Sequence, residues 1–475
     1  MRPPGVGKTH LAIAAAESGR QAEAYGCRFR RFTQRRWTLK VTVSAGGSMK
    51  LCPRPLVVGL LAICGSALAS SVPEPTDEVT SWNQMLFRAG LVGGTSPVVM
   101  TRVAAIVEAA VFDAVNGIDR RYTPIHVPPA APVGASRDAA AAQAAYATLV
   151  QLYPAQKSVL DARLAVSLTS IGTRESSAAI ANGTAWGQSV ADAILAWRST
   201  DGFTPPPPPF LGGVGVGVWR PTPPAFAPGV GAQFAYMTPW VISSPGQFRP
   251  AGPPALTSAR YAADFNETKT MGSQTSAART ADQTVYAWFW ASSTASYLWN
   301  NVALSLIDGT HDDGHRSTTL KNAHLLAMLN LAMADAAIGC WEAKYHFVFW
   351  RPVTAVPLAD TDSNPATIAD PAWMPLFATP AHPEYPSGHS CVSGAAGVVL
   401  ARFFGERTRF SVESDVMPGV VRQFDSFSAA LGEVKNARIF AGIHFRSATD
   451  DGQTLGASVA GYVLHNAMQP VNADD

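Results

Sequence analysis

Three short stretches carry residues whose types and spacing suit chemistry on an anion. Lys344 and Arg351 lie seven residues apart, and seven helical steps of about 100° return to within about 20° of the same face. Phe347, Val348, Phe349 and Trp350 stand around them, and two cations in such company are costly unless an anion sits between them. The second stretch is His382-Pro383-Glu384-Tyr385-Pro386-Ser387-Gly388-His389. Ser387 stands where a helix N-cap belongs, and Gly388 lets an anion approach the backbone closely. Free N–H groups and the positive end of a helix dipole suit an oxyanion there, and His389 in the first turn is placed for proton transfer. The third stretch runs from Arg438 to His444 within apolar sequence. A buried arginine needs a partner, and the histidine can act as nucleophile or ligand through one ring nitrogen.

The elements that must position these residues read as helices. Val98–Val115, Ala139–Leu152 with Ser136 as its cap, Lys157–Ile171 and Ser177–Arg198 carry helical apolar spacing or dense alanine. Residues 203–256 are rich in proline and glycine, including Pro205–Pro209. They are expected to be extended and to wrap the bundle or cover the entrance to a site. Helical pattern resumes at Ser258–Asn266 and through Ala278–Asp308. Lys321–Trp350 reads as one long helix ended at Arg351 by Pro352. An Ala/Val/Leu-rich helix follows His389 and runs to Phe404. Strand signals are scarce, so the predicted class is all-α, a large helical bundle.

The N-terminal residues read differently from the rest. Residues 1–48 hold nine of the 36 Lys/Arg and two of the 34 Asp/Glu, which leaves 27 basic against 32 acidic residues beyond them. That balance gives no reason to expect a nucleic-acid partner for the main body. Residues 3–13, PPGVGKTHLAI, resemble the phosphate-binding loop of transposase-helper ATPases, but Arg2 stands at the first glycine position and no strand can precede it. Residues 1–48 are therefore read as a leader with no fold of its own. Met49 begins a second pattern, with Lys50 and Arg54, an apolar run from Leu56 to Cys64, and Ala67-Leu68-Ala69 as a cleavage site. This is the anatomy of a secretory signal peptide over 49–69, and a mature chain from Ser70 to 475 is expected to be secreted or periplasmic.

No uninterrupted apolar span of 18 residues follows the signal, which argues against an integral-membrane lipid phosphatase. Cys340 and Cys391 then remain of five cysteines, read as small buried thiols with pairing left open. His311-Asp312-Asp313-Gly314-His315 reads as a polar turn rather than a metal site.

Lys-x6-Arg-Pro, Pro-Ser-Gly-His and Arg-x5-His, in this order, resemble the signature of the vanadium haloperoxidase and type-2 acid phosphatase superfamily. The segment from about Val79 to Ala467 looks like bacterial secreted members of its haloperoxidase-like branch. The resemblance implies that Lys344, Arg351, Ser387, Gly388 and Arg438 hydrogen-bond an oxyanion. It also implies that His444 bonds covalently to vanadium or phosphorus and that His389 is the acid–base. His382 holds the position that is histidine in bromoperoxidase-type sites, which implies bromide or iodide over chloride. Two positions depart from the pattern: Ala437 stands where serine is usual, and Ala448 where an aspartate commonly orients the histidine. Asp450, Asp451 or a backbone carbonyl is expected to take over that task for His444.

Three functions fit these residues. With vanadate as cofactor the partners are hydrogen peroxide and halide. With phosphate the chain is an acid phosphatase acting on monoesters through a phosphohistidine. The third is a non-catalytic oxyanion-binding protein. Vanadate and phosphate are near-identical tetrahedral anions, and the site residues alone leave the choice between them open.

Overall fold

Capping residues and small side chains set the helices and how closely they pack. The computed structural model describes residues 77–309 and 319–471, all of them within one compact unit, 71–475. The helices are α1 (Glu78–Val92), α2 (Pro97–Asp119), α3 (Arg137–Leu152), α4 (Lys157–Gly172), α5 (Ser177–Arg198), α6 (Ala259–Met271), α7 (Ala281–Ser292), α8 (Ala295–Gly309), α9 (Thr319–Phe347), α10 (Pro352–Ala355), α11 (Gly388–Phe404), α12 (Phe427–Phe440) and α13 (Arg446–Asn466). Ser136 caps α3 as expected, its Oγ accepting the Ala139 N–H at 3.0 Å. A two-stranded antiparallel hairpin, β1 (Phe410–Glu413) with β2 (Val421–Phe424), is the one sheet among the described residues. The all-α class is therefore borne out.

Helix α9 is the axis of the bundle, packed against α2, α11 and α13. It is long and apolar enough to cross a membrane, yet 94% of its apolar window is buried inside the fold. Helices α11 and α13 approach very closely. A Cβ on Gly456 would stand 1.9 Å from the Cys391 carbonyl oxygen, so only glycine admits this contact. The close approach brings the start of α11, which carries Ser387, Gly388 and His389, against the start of α13, which follows His444.

Residues 203–256 contain a single short 3-10 turn, Ala232–Tyr236, and are pinned rather than loose. Asp335, in the buried middle of α9, accepts the N–H groups of Trp240, Val241 and Ile242 at 2.7, 2.8 and 3.0 Å. Further back, Trp219 N–H donates to the Val348 carbonyl at 2.7 Å and Trp350 N–H to the Gly217 carbonyl at 2.9 Å.

Two sequence expectations need correction. The long helix stops at Phe347 because Val348 enters the left-handed region (φ 51°). Arg351 is therefore extended (φ −86°, ψ 155°), outside the helix that holds Lys344. The two cations converge through this turn and the backbone pairing with residues 217–219, not through a shared helical stripe. The expected helix 278–308 is two helices, broken at Ser293-Thr294 between α7 and α8. Residues 1–76 lie outside the described part, as do residues 311–315, where a polar turn was expected. Cys340 and Cys391 are buried free thiols.

Candidate oxyanion site

Each motif segment arrives on a different kind of support. Lys344 sits in the last turn of α9 and Arg351 caps α10. His382–Pro386 has no regular secondary structure and leads to Ser387, the N-cap of α11. Arg438 lies in the last turn of α12, and His444 in the short turn before α13. Backbone hydrogen bonds tie the segments together: Glu384 N to Phe349 O at 2.9 Å, and Ser387 N to Ala448 O at 2.9 Å.

The three cations are buried, yet they are satisfied unequally. Lys344 Nζ donates to the carbonyls of Pro383 (2.9 Å), Glu384 (3.0 Å) and Pro386. Arg351 donates to the His382 carbonyl (2.9 Å), the Ile443 carbonyl (2.7 Å), His444 Nε2 (3.1 Å) and His382 Nδ1 (3.0 Å). Arg438 has a single weak bond, Nη1 to the Trp290 carbonyl at 3.4 Å, and its buried Nε has no hydrogen-bond partner. Burial pushes Lys344 down to about 8, Arg351 to about 10 and Arg438 to about 9, the last also repelled by Arg351. A buried guanidinium with donors to spare and no carboxylate bound to it is what an oxyanion site looks like before its anion is counted.

The histidines are held as neutral rings. Burial, followed by the neighbouring cations, drives His382, His389 and His444 well below the ordinary histidine range. His444 is fully buried, and its Nδ1 lies 2.8 Å from Glu384 Oε1. With the ring neutral, this contact is an N–H donating to a carboxylate rather than an ion pair. Nε2 then keeps its lone pair, which accepts from Arg351 and is the nitrogen able to bond to an electrophilic centre. His389 Nε2 donates to the Ser293 carbonyl at 3.3 Å, leaving Nδ1 as its titrating nitrogen. Gly388 brings the first turn of α11 against Trp341; a Cβ there would meet the indole at 3.0 Å.

All eight sequence-nominated residues thus meet in one place: Lys344, Arg351, His382, Ser387, Gly388, His389, Arg438 and His444. The support of His444 was misplaced. Asp450 pairs with Lys435 at 2.9 Å and Asp451 accepts the Tyr385 hydroxyl at 2.6 Å, so neither reaches the ring. Glu384, from the second motif, bonds it instead. An acidic residue set between Pro383 and Pro386 in a motif otherwise without charge was the available signal. Ser293, whose carbonyl holds His389, was also missed, because it lies in a helix break the sequence reading did not foresee.

The structure is thus a large α-bundle enclosing three buried cations, a helix N-terminus and neutral histidines. Residues 324–473 match the family model described as the VCPO second helical-bundle domain. Over 171 residues the chain is 28% identical to the vanadium chloroperoxidase of Curvularia inaequalis. That alignment covers 26% of this chain and 27% of the relative, so it spans about a quarter of the relative's length. A bacterial vanadium-dependent iodoperoxidase structure superposes with a TM-score of 0.69 at 27% identity, covering 83% of this chain and 98% of that one. A bacterial vanadium-dependent chloroperoxidase in its holo form shares the fold, with a TM-score of 0.62 at 15% identity over 78% of this chain and 91% of that one. The chain is thus similar to the vanadium haloperoxidase superfamily, in sequence over residues 324–473 and in fold over most of its length.

Proposed function

We propose that this chain is a vanadate-dependent haloperoxidase that oxidises bromide or iodide with hydrogen peroxide. The observation that carries the reading is Arg438, fully buried with one bond at 3.4 Å and an unpartnered Nε. With Lys344, Arg351 and Arg438 charged and the three histidines neutral, the cage carries a net positive charge whether or not Glu384, pushed up to about 7 by burial, is ionised. That suits a tetrahedral oxyanion of one or two negative charges. The residues therefore fit vanadate, with the three cations, Ser387 and Gly388 binding its oxygens and the Nε2 lone pair of His444 as the protein ligand. Bound vanadate supplies Lewis acidity that activates peroxide toward a halide.

The chain's own groups do the rest. Lys344, Arg351 and Arg438 draw charge from the oxygens they bind, in a site where burial makes each interaction strong. His389 exchanges a proton at Nδ1 while its Nε2–H stays anchored on Ser293. His382, held by Arg351 and packed 5.1 Å from the Trp341 ring, supports the preference for the softer halides. Likeness to an iodoperoxidase over nearly the whole of that chain points the same way.

The test is halide oxidation by purified protein loaded with vanadate, read with iodide, bromide and chloride in parallel. Activity with iodide and bromide that is lost in His444→Ala supports the reading. Hydrolysis of a phosphate monoester without vanadate, inhibited when vanadate is added, would replace it with a phosphatase on the same cage. Neither activity, with vanadate or phosphate still bound, would leave a non-catalytic oxyanion-binding protein.

A further inference from the structure

Glu384 touches all three motifs. Its N–H donates to the Phe349 carbonyl at 2.9 Å, two residues before Arg351. Its carbonyl accepts from Lys344 Nζ at 3.0 Å. Its carboxylate Oε1 accepts two N–H groups, His444 Nδ1–H at 2.8 Å and the Phe445 backbone at 2.9 Å. The residue is fully buried, and Oε2 has no hydrogen-bond partner. The position in the third motif expected to supply this support is Ala448, whose carbonyl is spent on Ser387 N.

We propose that Glu384 is the positioning residue of the site, fixing the Nδ1–H tautomer of His444 so that the Nε2 lone pair faces the oxyanion. This rests on the reading of His444 as the protein ligand to that anion. The carboxylate acts through the ring and not on the anion. Two N–H donors on one oxygen lock its orientation, and the neighbouring Lys344 contact keeps the main chain of the same residue in register with the first cation. Arg351, donating to Nε2 at 3.1 Å, favours the same tautomer from the other side of the ring, and Glu384 supplies the acceptor without which the Nδ1–H would be buried unpaired.

The electrostatic alternative makes the opposite prediction, which makes the idea testable. If Glu384 mattered only as a negative charge in the cage, its removal would tighten anion binding. If it positions the ring, Glu384→Ala weakens binding, by roughly 10- to 100-fold as for other groups that orient a ligand histidine. Glu384→Gln, which keeps an acceptor for Nδ1–H, restores it to within a few-fold of wild type. The measurement is vanadate affinity by calorimetry, paired with the 15N shifts of the His444 ring in anion-free protein. Wild type and Glu384→Gln are expected to show the Nδ1–H form, and Glu384→Ala a mixture or the Nε2–H form.

Unchanged ring shifts together with equal or tighter vanadate binding in Glu384→Ala would overturn the proposal. Should the alanine variant not fold, Glu384→Asp carries the same comparison, since its carboxylate falls one methylene short of the ring. The ring shifts need no anion, so they judge the positioning role even if wild type binds no vanadate. That last result would sink the oxyanion reading itself.

Discussion

Replacing Arg438 with methionine should make the protein more stable and useless at the same time. The guanidinium is buried, its one hydrogen bond is 3.4 Å long, and burial with repulsion from Arg351 lowers it from 12.5 to about 9. At about 1.4 kcal/mol per unit, keeping that charge costs on the order of 5 kcal/mol when no anion offsets it. Methionine fills a similar reach without charge, and comparable replacements of buried charges stabilise by roughly 1–4 kcal/mol. Allowing for imperfect packing, Arg438→Met is expected to exceed wild type by about 2 kcal/mol in anion-free buffer. Vanadate at one hundred times its Kd should then raise wild type by about 2.7 kcal/mol through binding linkage and leave the variant nearly unmoved. Urea unfolding at pH 7, with and without vanadate, reads both effects, and the order of stabilities should reverse on adding the anion. A variant less stable than wild type without anion, or one stabilised equally by vanadate, would refute the claim that Arg438 is held for an oxyanion.

Three further outcomes are expected elsewhere. Glu108 is buried in α2, where it accepts from Asn83 at 2.8 Å, and burial pushes it up to about 8. Its folded value lies above its unfolded one, so its contribution is full below about pH 4.5 and is lost as pH rises through 8. Glu108→Gln should remove a slope of at most about 1.4 kcal/mol per pH unit from stability measured by urea unfolding over that window. Asp335→Ala strands three buried N–H groups, at about 1–3 kcal/mol each before relaxation. A net loss of about 3–5 kcal/mol is expected, with faster limited proteolysis within 203–256. Mass spectrometry of the protein from its native host should find Ser70 at the N-terminus, and an intact Met1 would contradict the leader assignment.

The sequence made the cage residues legible because cations among aromatics and a Ser-Gly-His at a helix start are expensive without a common purpose. It made the helices legible where caps and alanine runs were strong, as at Ser136 and α3. What it hid depended on backbone turns. Val348 is β-branched and gives no sign of the left-handed conformation that ends α9, so Lys344 and Arg351 were assigned to one face by periodicity alone. The Ser293 break hid the anchor of His389 for the same reason. Glu384 was visible as a letter in the second motif, but its partner lies sixty residues on, and no local pattern links a carboxylate to a ring at that distance.

The stretch between Trp219 and Gly217, without helix or strand of its own, grips the segment that delivers Arg351. Its two backbone hydrogen bonds to Val348 and Trp350 give the guanidinium a fixed origin that helix α9 alone cannot provide. An engineer seeking to retune anion preference thus has a lever away from the cage. Changing residues 215–219 shifts where Arg351 begins while leaving every ligand-binding side chain as it is.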